Sequence, residues 1–163
     1  VGITKAHNSD ELKKGLSLAA EHDRKILVEK NIDGQEVECA VLGNGGNIQA
    51  STVGEIFSAA EFYDYEAKYN NPESKTAIPA NLSQEKIDEI RNIAIKVFKA
   101  VDGSGLARVD FFVENDTGKV IFNELNTLPG FTSISMYPKL WEHMGKPIDV
   151  LIDELISLAC CGK

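Results

Sequence analysis

Leu106-Ala107-Arg108-Val109-Asp110-Phe111-Phe112-Val113-Glu114, a turn at Asn115-Asp116-Thr117-Gly118, and Lys119-Val120-Ile121-Phe122-Asn123-Glu124-Leu125-Asn126 form the stretch that decides the fold. Both arms are rich in β-branched and aromatic residues and are joined by a short polar turn, the pattern of a β-hairpin. Side chains alternate along a strand, so Arg108, Asp110 and Phe112 share one face of the first arm, and Phe122, Glu124 and Asn126 share one face of the second. A two-residue loop at Asp116 and Thr117 pairs Asp110 with Asn123. A three-residue loop, Asp116 to Gly118, pairs Asp110 with Glu124 and Arg108 with Asn126. Glycine at the third loop position suits the left-handed residue of a G1 bulge, which favours the second register. Two carboxylates side by side repel each other unless something positive lies between them. Two readings of that polar face stand open: oxygen ligands for a hard cation such as Mg²⁺, or a wet sheet face on which Arg108 neutralises both acids.

Working outward, Ser83 opens the strongest helix, which runs to Asp102 with Ile87, Ile90, Ala94, Val97, Phe98 and Val101 as its core stripe. Upstream, Val37–Leu42 and Ile48–Gly54 flank Gly43-Asn44-Gly45-Gly46-Asn47, a second hairpin signal. Glu36 and Glu38 alternate there with Val37, Cys39 and Val41, so one face of that strand is polar. Ser9, Asp10 and Glu11 open an N-terminal helix, Lys25–Lys30 reads as a strand, and Gly34 is the candidate boundary between two lobes. After the central hairpin, helices are expected near Tyr137–Met144 and Pro147–Leu158. The whole reads as α+β: an antiparallel sheet packed with helices. Residues 58–74, holding Tyr63, Tyr65, Lys68 and Tyr69, form a long polar and aromatic loop, and loops of that length in compact domains are more often functional than neutral.

The formal charge of −8 over 163 residues argues against duplex nucleic acid or an anionic membrane as the main partner. No apolar run approaches the ~20 residues that span a bilayer, and no signal-peptide pattern opens the chain, so a cytoplasmic protein is expected. Cys39, Cys160 and Cys161 are an odd set without metal-ligand spacing and read as reduced thiols.

Three motifs in order resemble the D-alanine–D-alanine ligase family of the ATP-grasp superfamily: Phe62-Tyr63-Asp64-Tyr65-Glu66-Ala67-Lys68-Tyr69, Gly105-Leu106-Ala107-Arg108-Val109-Asp110, and Asn123-Glu124-Leu125-Asn126-Thr127-Leu128-Pro129-Gly130-Phe131-Thr132-Ser133. The resemblance covers essentially the whole chain and implies two D-alanines and ATP as substrates, with two Mg²⁺ (or Mn²⁺) ions. It implies adenine contacts at Glu29, Lys30 and Ile32, a ribose contact at Glu36, and a mobile loop whose Lys68 reaches the γ-phosphate beside Tyr69. Metal ligation falls to Asp110, Glu124 and Asn126. Arg108 and the Gly130 backbone match the groups that stabilise the acyl-phosphate and the tetrahedral oxyanion, and Ser135 and Met136 match the positions that hold the second D-alanine's carboxylate. The implied chemistry is phosphorylation of one D-alanine carboxylate, then attack by the amine of a second, for peptidoglycan precursor synthesis. A homodimer is implied for the full-length enzyme.

The resemblance also carries a departure. The family's N-terminal domain, its first phosphate-binding lysine and most of its glycine-rich loop would precede Val1. The expectation is therefore a C-terminal fragment, residues 1–33 ending the central nucleotide lobe and 34–163 forming the C-terminal lobe, inactive by itself. A ligase joining D-alanine to D-serine or D-lactate, a glutathione synthetase type enzyme, and a non-catalytic cation-binding module are the competing readings.

Overall fold

The two hairpins form, and they lie side by side in one sheet. In the computed structural model, which describes residues 2–57 and 76–160, strands β1 (Gly34–Asn44), β2 (Asn47–Ile56), β3 (Thr76–Ala77), β4 (Gly105–Glu114) and β5 (Val120–Asn126) run in the order β3-β2-β1-β4-β5. Every pairing is antiparallel. The chain divides into two compact units, Val1–Asn31 and Ile32–Lys163.

The first unit carries helix α1 (Ser9–Ala20), and its cap is Asn8 rather than Ser9. The Asn8 side chain accepts from the N–H groups of Asp10 and Glu11 at 3.1 and 3.0 Å, while the Glu11 carboxylate accepts from the His7 N–H at 2.8 Å. These contacts satisfy donors that the first helical turn leaves open. The expected strand at Lys25–Lys30 does not form. A strand needs a neighbour for its backbone N–H and C=O groups, and among the described residues none pairs with this stretch; its Leu27 and Val28 are exposed.

In the second unit, alternation puts opposite sets of β1 and β4 side chains on the two faces of the sheet. Val37, Cys39 and Val41 with Val109, Phe111 and Val113 form one core with Ile87, Ile90, Ala94 and Phe98 of helix α2 (Gln84–Ala100), which Ser83 caps. The other face is apolar at one end only. There Ala40 and Leu42 pack with Met136, Tyr137, Leu140, Trp141 and Leu151 from helices α3 (Met136–His143) and α4 (Ile148–Cys160). The Tyr137 hydroxyl donates to the Val41 carbonyl at 3.1 Å, fixing α3 to β1. The same face continues into the polar side chains Glu36, Glu38, Arg108 and Asp110.

The central hairpin reaches the expected pairing by a different route. Asp110 does lie opposite Glu124, and Arg108 opposite Asn126. Near the turn, however, Phe111 pairs with Phe122, Phe112 with Ile121 and Val113 with Val120, one residue out of step with those pairs. The loop holds four residues, Asn115 to Gly118, closed by hydrogen bonds from the Gly118 N–H to the Glu114 carbonyl at 2.8 Å and from the Glu114 N–H to the Lys119 carbonyl at 3.0 Å. Gly118 takes the left-handed conformation (φ 64°), as its position demands. The change of step comes from Asn123, the extra residue of a β-bulge between the Phe111–Phe122 and Asp110–Glu124 pairs. The three-residue loop is therefore corrected. So is the shared face of Phe122 and Glu124: Phe122 packs edge-on against Phe111, ring centroids 6.1 Å apart.

Candidate cation and phosphoryl site

Register across three strands builds the site. Glu38 of β1 lies opposite Asp110 of β4, which lies opposite Glu124 of β5, so three carboxylates stand in one row. The next row carries Ala40, Arg108 and Asn126. Arg108 bends along its own strand to Asp110, its Nε donating to Oδ1 at 2.8 Å and Nη2 to Oδ2 at 2.7 Å. The same Nε lies 3.1 Å from Glu38 Oε1. Glu38 and Asp110 are buried, at 4% and 5% exposure, while Glu124 is exposed. One guanidinium thus serves two buried acids of the row.

Glu38 Oε2 is buried and has no hydrogen-bond partner. Burial, reinforced by the negative charge of Asp110 and opposed by Arg108, pushes the Glu38 carboxyl up to about 7. Arg108 is held still more firmly protonated, chiefly by its hydrogen bonds to Asp110 against the opposing effect of burial. An excess of carboxylate over cation on a buried surface, all of it oxygen, is the donor chemistry of a hard divalent ion. Among the described residues no three acidic, histidine or cysteine side chains converge as a finished ligand cluster. The Asn126 amide oxygen adds a neutral donor, and it accepts the Leu128 N–H at 3.1 Å, which leaves its second lone pair open.

The loop after β5 brings together a second group. A Cβ on Gly130 would sit 2.8 Å from Ser135 Oγ, so only glycine lets these two approach. Ser135 Oγ accepts the Thr132 N–H at 3.0 Å and lies 2.8 Å from Thr132 Oγ1. Ser135 stands at the N-cap position of α3 yet makes no side-chain cap, so its hydroxyl serves the loop rather than the helix. Met136 is buried and lies against Gly54, the β2 residue opposite Glu38: a Cβ on Gly54 would sit 2.8 Å from Met136 Sδ and 3.1 Å from Leu140 Cδ2.

The other expected residues fall elsewhere. Glu36, exposed, lies on the same face as Glu38 two positions earlier, and Ile32 is half-buried at the start of the second unit. Glu29 and Lys30 are exposed residues of the first unit. Lys68 and Tyr69, with the rest of the tyrosine loop, lie outside the described residues. Glu38 is the residue that sequence reading missed as part of the site. Its signal was present in the alternation of Glu36 and Glu38 with apolar neighbours, but its partner Asp110 lies 72 positions further on (110 − 38) and only the β1–β4 pairing joins them.

The family model described as D-ala D-ala ligase C-terminus matches residues 1–157. D-alanine--D-alanine ligases of Acetivibrio thermocellus and Clostridium acetobutylicum are each 60% identical over 98% of the chain, which covers 42% and 46% of their respective lengths. Among solved structures, the D-alanine-D-alanine ligase of Coxiella burnetii superposes with a TM-score of 0.81 at 43% identity, over 96% of this chain and 40% of that one. The VanG D-Ala:D-Ser ligase of Enterococcus faecalis superposes with a TM-score of 0.83 at 41% identity, over 96% of this chain and 45% of that one. The chain thus spans less than half the length of the relatives it matches. With its antiparallel sheet, its helices and its matched length taken together, the chain belongs to the D-alanine–D-alanine ligase C-terminal family.

Proposed function

We propose that this chain is the C-terminal part of an ATP-dependent ligase that joins two D-alanines, supplying its metal ligands and the cation that meets the transferred phosphoryl group. The row of Glu38, Asp110 and Glu124, with a single Arg108 bound to the two buried acids and Glu124 exposed beside them, is the observation that carries this reading, because more carboxylate than cation in one row suits a divalent partner. The identity of 60% to D-alanine--D-alanine ligases of two organisms supports D-alanine over D-serine as second substrate.

Asp110, Glu124 and Asn126 are the residues that would hold Mg²⁺ or Mn²⁺, in the number of two ions that the resemblance implies. Bound there, the metal would neutralise charge on the nucleotide phosphates during transfer. Arg108 offers N–H donors to the phosphoryl oxygens, and because its charge is permanent it keeps that role at any working pH. The open backbone at Gly130, beside Ser135, presents donors where a carboxylate or an oxyanion would sit. Met136 keeps the adjoining wall apolar, which excludes water from the activated carboxyl. The order of events is phosphorylation of the first D-alanine's carboxylate by ATP, then attack of the second D-alanine's amine with release of phosphate. Activation is needed because a carboxylate is a poor electrophile.

Glu29, Lys30, Ile32 and Glu36 are proposed for the nucleotide's adenosine end, and Lys68 and Tyr69 for a lid over its phosphates. Residues 1–33 would end the central lobe and residues 34–163 form the C-terminal one. The enzyme would act in the cytoplasm as a homodimer, and among the described residues no helix is long and apolar enough to cross a membrane. The chain by itself should make no dipeptide, since it spans less than half of its relatives. The test is ligation by the full-length ligase carrying this chain, with D-alanine, D-serine and D-lactate offered in turn. D-Alanyl-D-alanine should dominate. In the same protein Glu124→Gln should weaken turnover at limiting Mg²⁺, and unchanged turnover there would sink the metal assignment.

A further inference from the structure

We propose that Glu38 is a positioning residue for Arg108: it holds the guanidinium in place when a divalent cation draws Asp110 away. This deepens the reading above and rests on it. In the observed geometry the metal ligand and the phosphoryl-binding arginine neutralise each other. Asp110 gives both of its oxygens to Arg108, at 2.8 and 2.7 Å. A cation bound to those oxygens repels the guanidinium that shares them, so cation binding and the Arg108–Asp110 pair oppose one another. Left without another anchor, Arg108 would swing away from the site at the moment it is needed.

Glu38 supplies the anchor. Its Oε1 lies 3.1 Å from the same Nε that donates to Asp110, so transfer of that hydrogen bond requires only a small shift of one N–H. Its backbone is fixed in the central strand of the sheet, between β2 and β4, and its side chain is buried beside Gly54 and Met136. Its Oε2 is buried and has no partner. A buried acceptor left open is costly, and it is satisfied when the guanidinium turns its fork from Asp110 towards Glu38. Glu38 would then hold Nε while the outer N–H groups face the transferred phosphoryl.

The test uses the chain itself, without nucleotide. The Nε–H of Arg108 is followed by nitrogen-edited NMR, and its hydrogen exchange is measured with and without Mg²⁺ in the wild type, Glu38→Gln and Glu38→Met. Glutamine keeps an oxygen acceptor of the same reach; methionine keeps the volume and removes it. Mg²⁺ should leave Nε–H exchange nearly unchanged in the wild type and raise it about tenfold or more in Glu38→Met, the factor expected for losing a charge-assisted hydrogen bond, with Glu38→Gln between them. Equal Mg²⁺ responses in the wild type and Glu38→Met would overturn the positioning role while leaving the cation site standing. Absence of any Mg²⁺ shift at Asp110 and Glu124 in the wild type would overturn the cation site, and the proposal with it. In the full-length ligase, Glu38→Met should lower kcat with the KM for ATP little altered, and Glu38→Gln should recover part of the loss. An equal fall of activity in both variants, with KM unchanged in each, would refute the hydrogen bond as the cause.

Discussion

Replacing Glu38 with glutamine should flatten the pH dependence of the chain's stability in the absence of divalent cations. The Glu38 carboxyl, 4.5 in an open chain, is pushed up to about 7, with burial as the leading cause. A raised value means that the folded chain holds this proton more tightly than the unfolded chain does. Below pH 4.5 both states are protonated and the group contributes no slope. Between 4.5 and about 7 the unfolded chain has released the proton and the folded chain has not, so stability falls as pH rises; above about 7 both are ionised and the loss stays constant. At about 1.36 kcal/mol per pH unit, the accumulated loss is about 3 kcal/mol, a large share of the stability of a domain this size. Glutamine fills the same volume and cannot ionise, so the variant escapes the loss. Urea unfolding in chelator, followed through the fluorescence of Trp141, reads the second unit alone, because Trp141 is the chain's one tryptophan and is buried there. Between about pH 4 and about pH 8 the wild type should lose about 3 kcal/mol more than Glu38→Gln. Parallel pH curves for the two proteins would refute the reasoning, since they would show that Glu38 ionises as freely folded as unfolded.

Three further outcomes follow from packing. Gly54→Ala puts a methyl 2.8 Å from Met136 Sδ and 3.1 Å from Leu140 Cδ2, so these side chains must shift; a loss of about 1–3 kcal/mol is expected in thermal melts, and an unchanged midpoint would show that the wall beside the site yields freely. Phe98→Ala removes the largest buried side chain of α2 and should cost about 3–5 kcal/mol by the same urea assay, a smaller cost meaning that the sheet face collapses onto the gap. Cys39 is fully buried and its thiol is pushed up to about 12, so iodoacetamide should leave it unmodified at neutral pH while exposed Cys160 reacts; peptide mass mapping that finds Cys39 alkylated in folded protein would contradict its burial.

The fold was legible wherever one residue type carried one local rule. Ser83 before an apolar stripe marked α2, and Gly45-Gly46 between two β-branched runs marked the first hairpin. The adjacency of Arg108, Asp110, Glu124 and Asn126 was legible because a hairpin is a local object. Glu38 was not, for its neighbour depends on β1 and β4 pairing between residues 72 positions apart (110 − 38), which no local rule fixes. The strand expected at Lys25–Lys30 failed for a related reason: β propensity describes a side chain's fit to a sheet, and a sheet needs partners. Of the two readings of the polar face, the structure bears on the neutralising one. Arg108 does neutralise Asp110, and the acids beside it still exceed the positive charge available.

The bulge at Asn123 changes what the central turn is for. Since the ladder shifts step between the Phe111–Phe122 and Asp110–Glu124 pairs, the hairpin has two separately indexed halves, one next to the loop and one next to the site. Apolar pairing of Phe111, Phe112 and Val113 with Phe122, Ile121 and Val120 pins the loop-side half by itself. The loop Asn115–Gly118 is therefore insulated from the acidic row. It is the place where this molecule can be lengthened, labelled or gripped by another protein without re-aiming the acidic row.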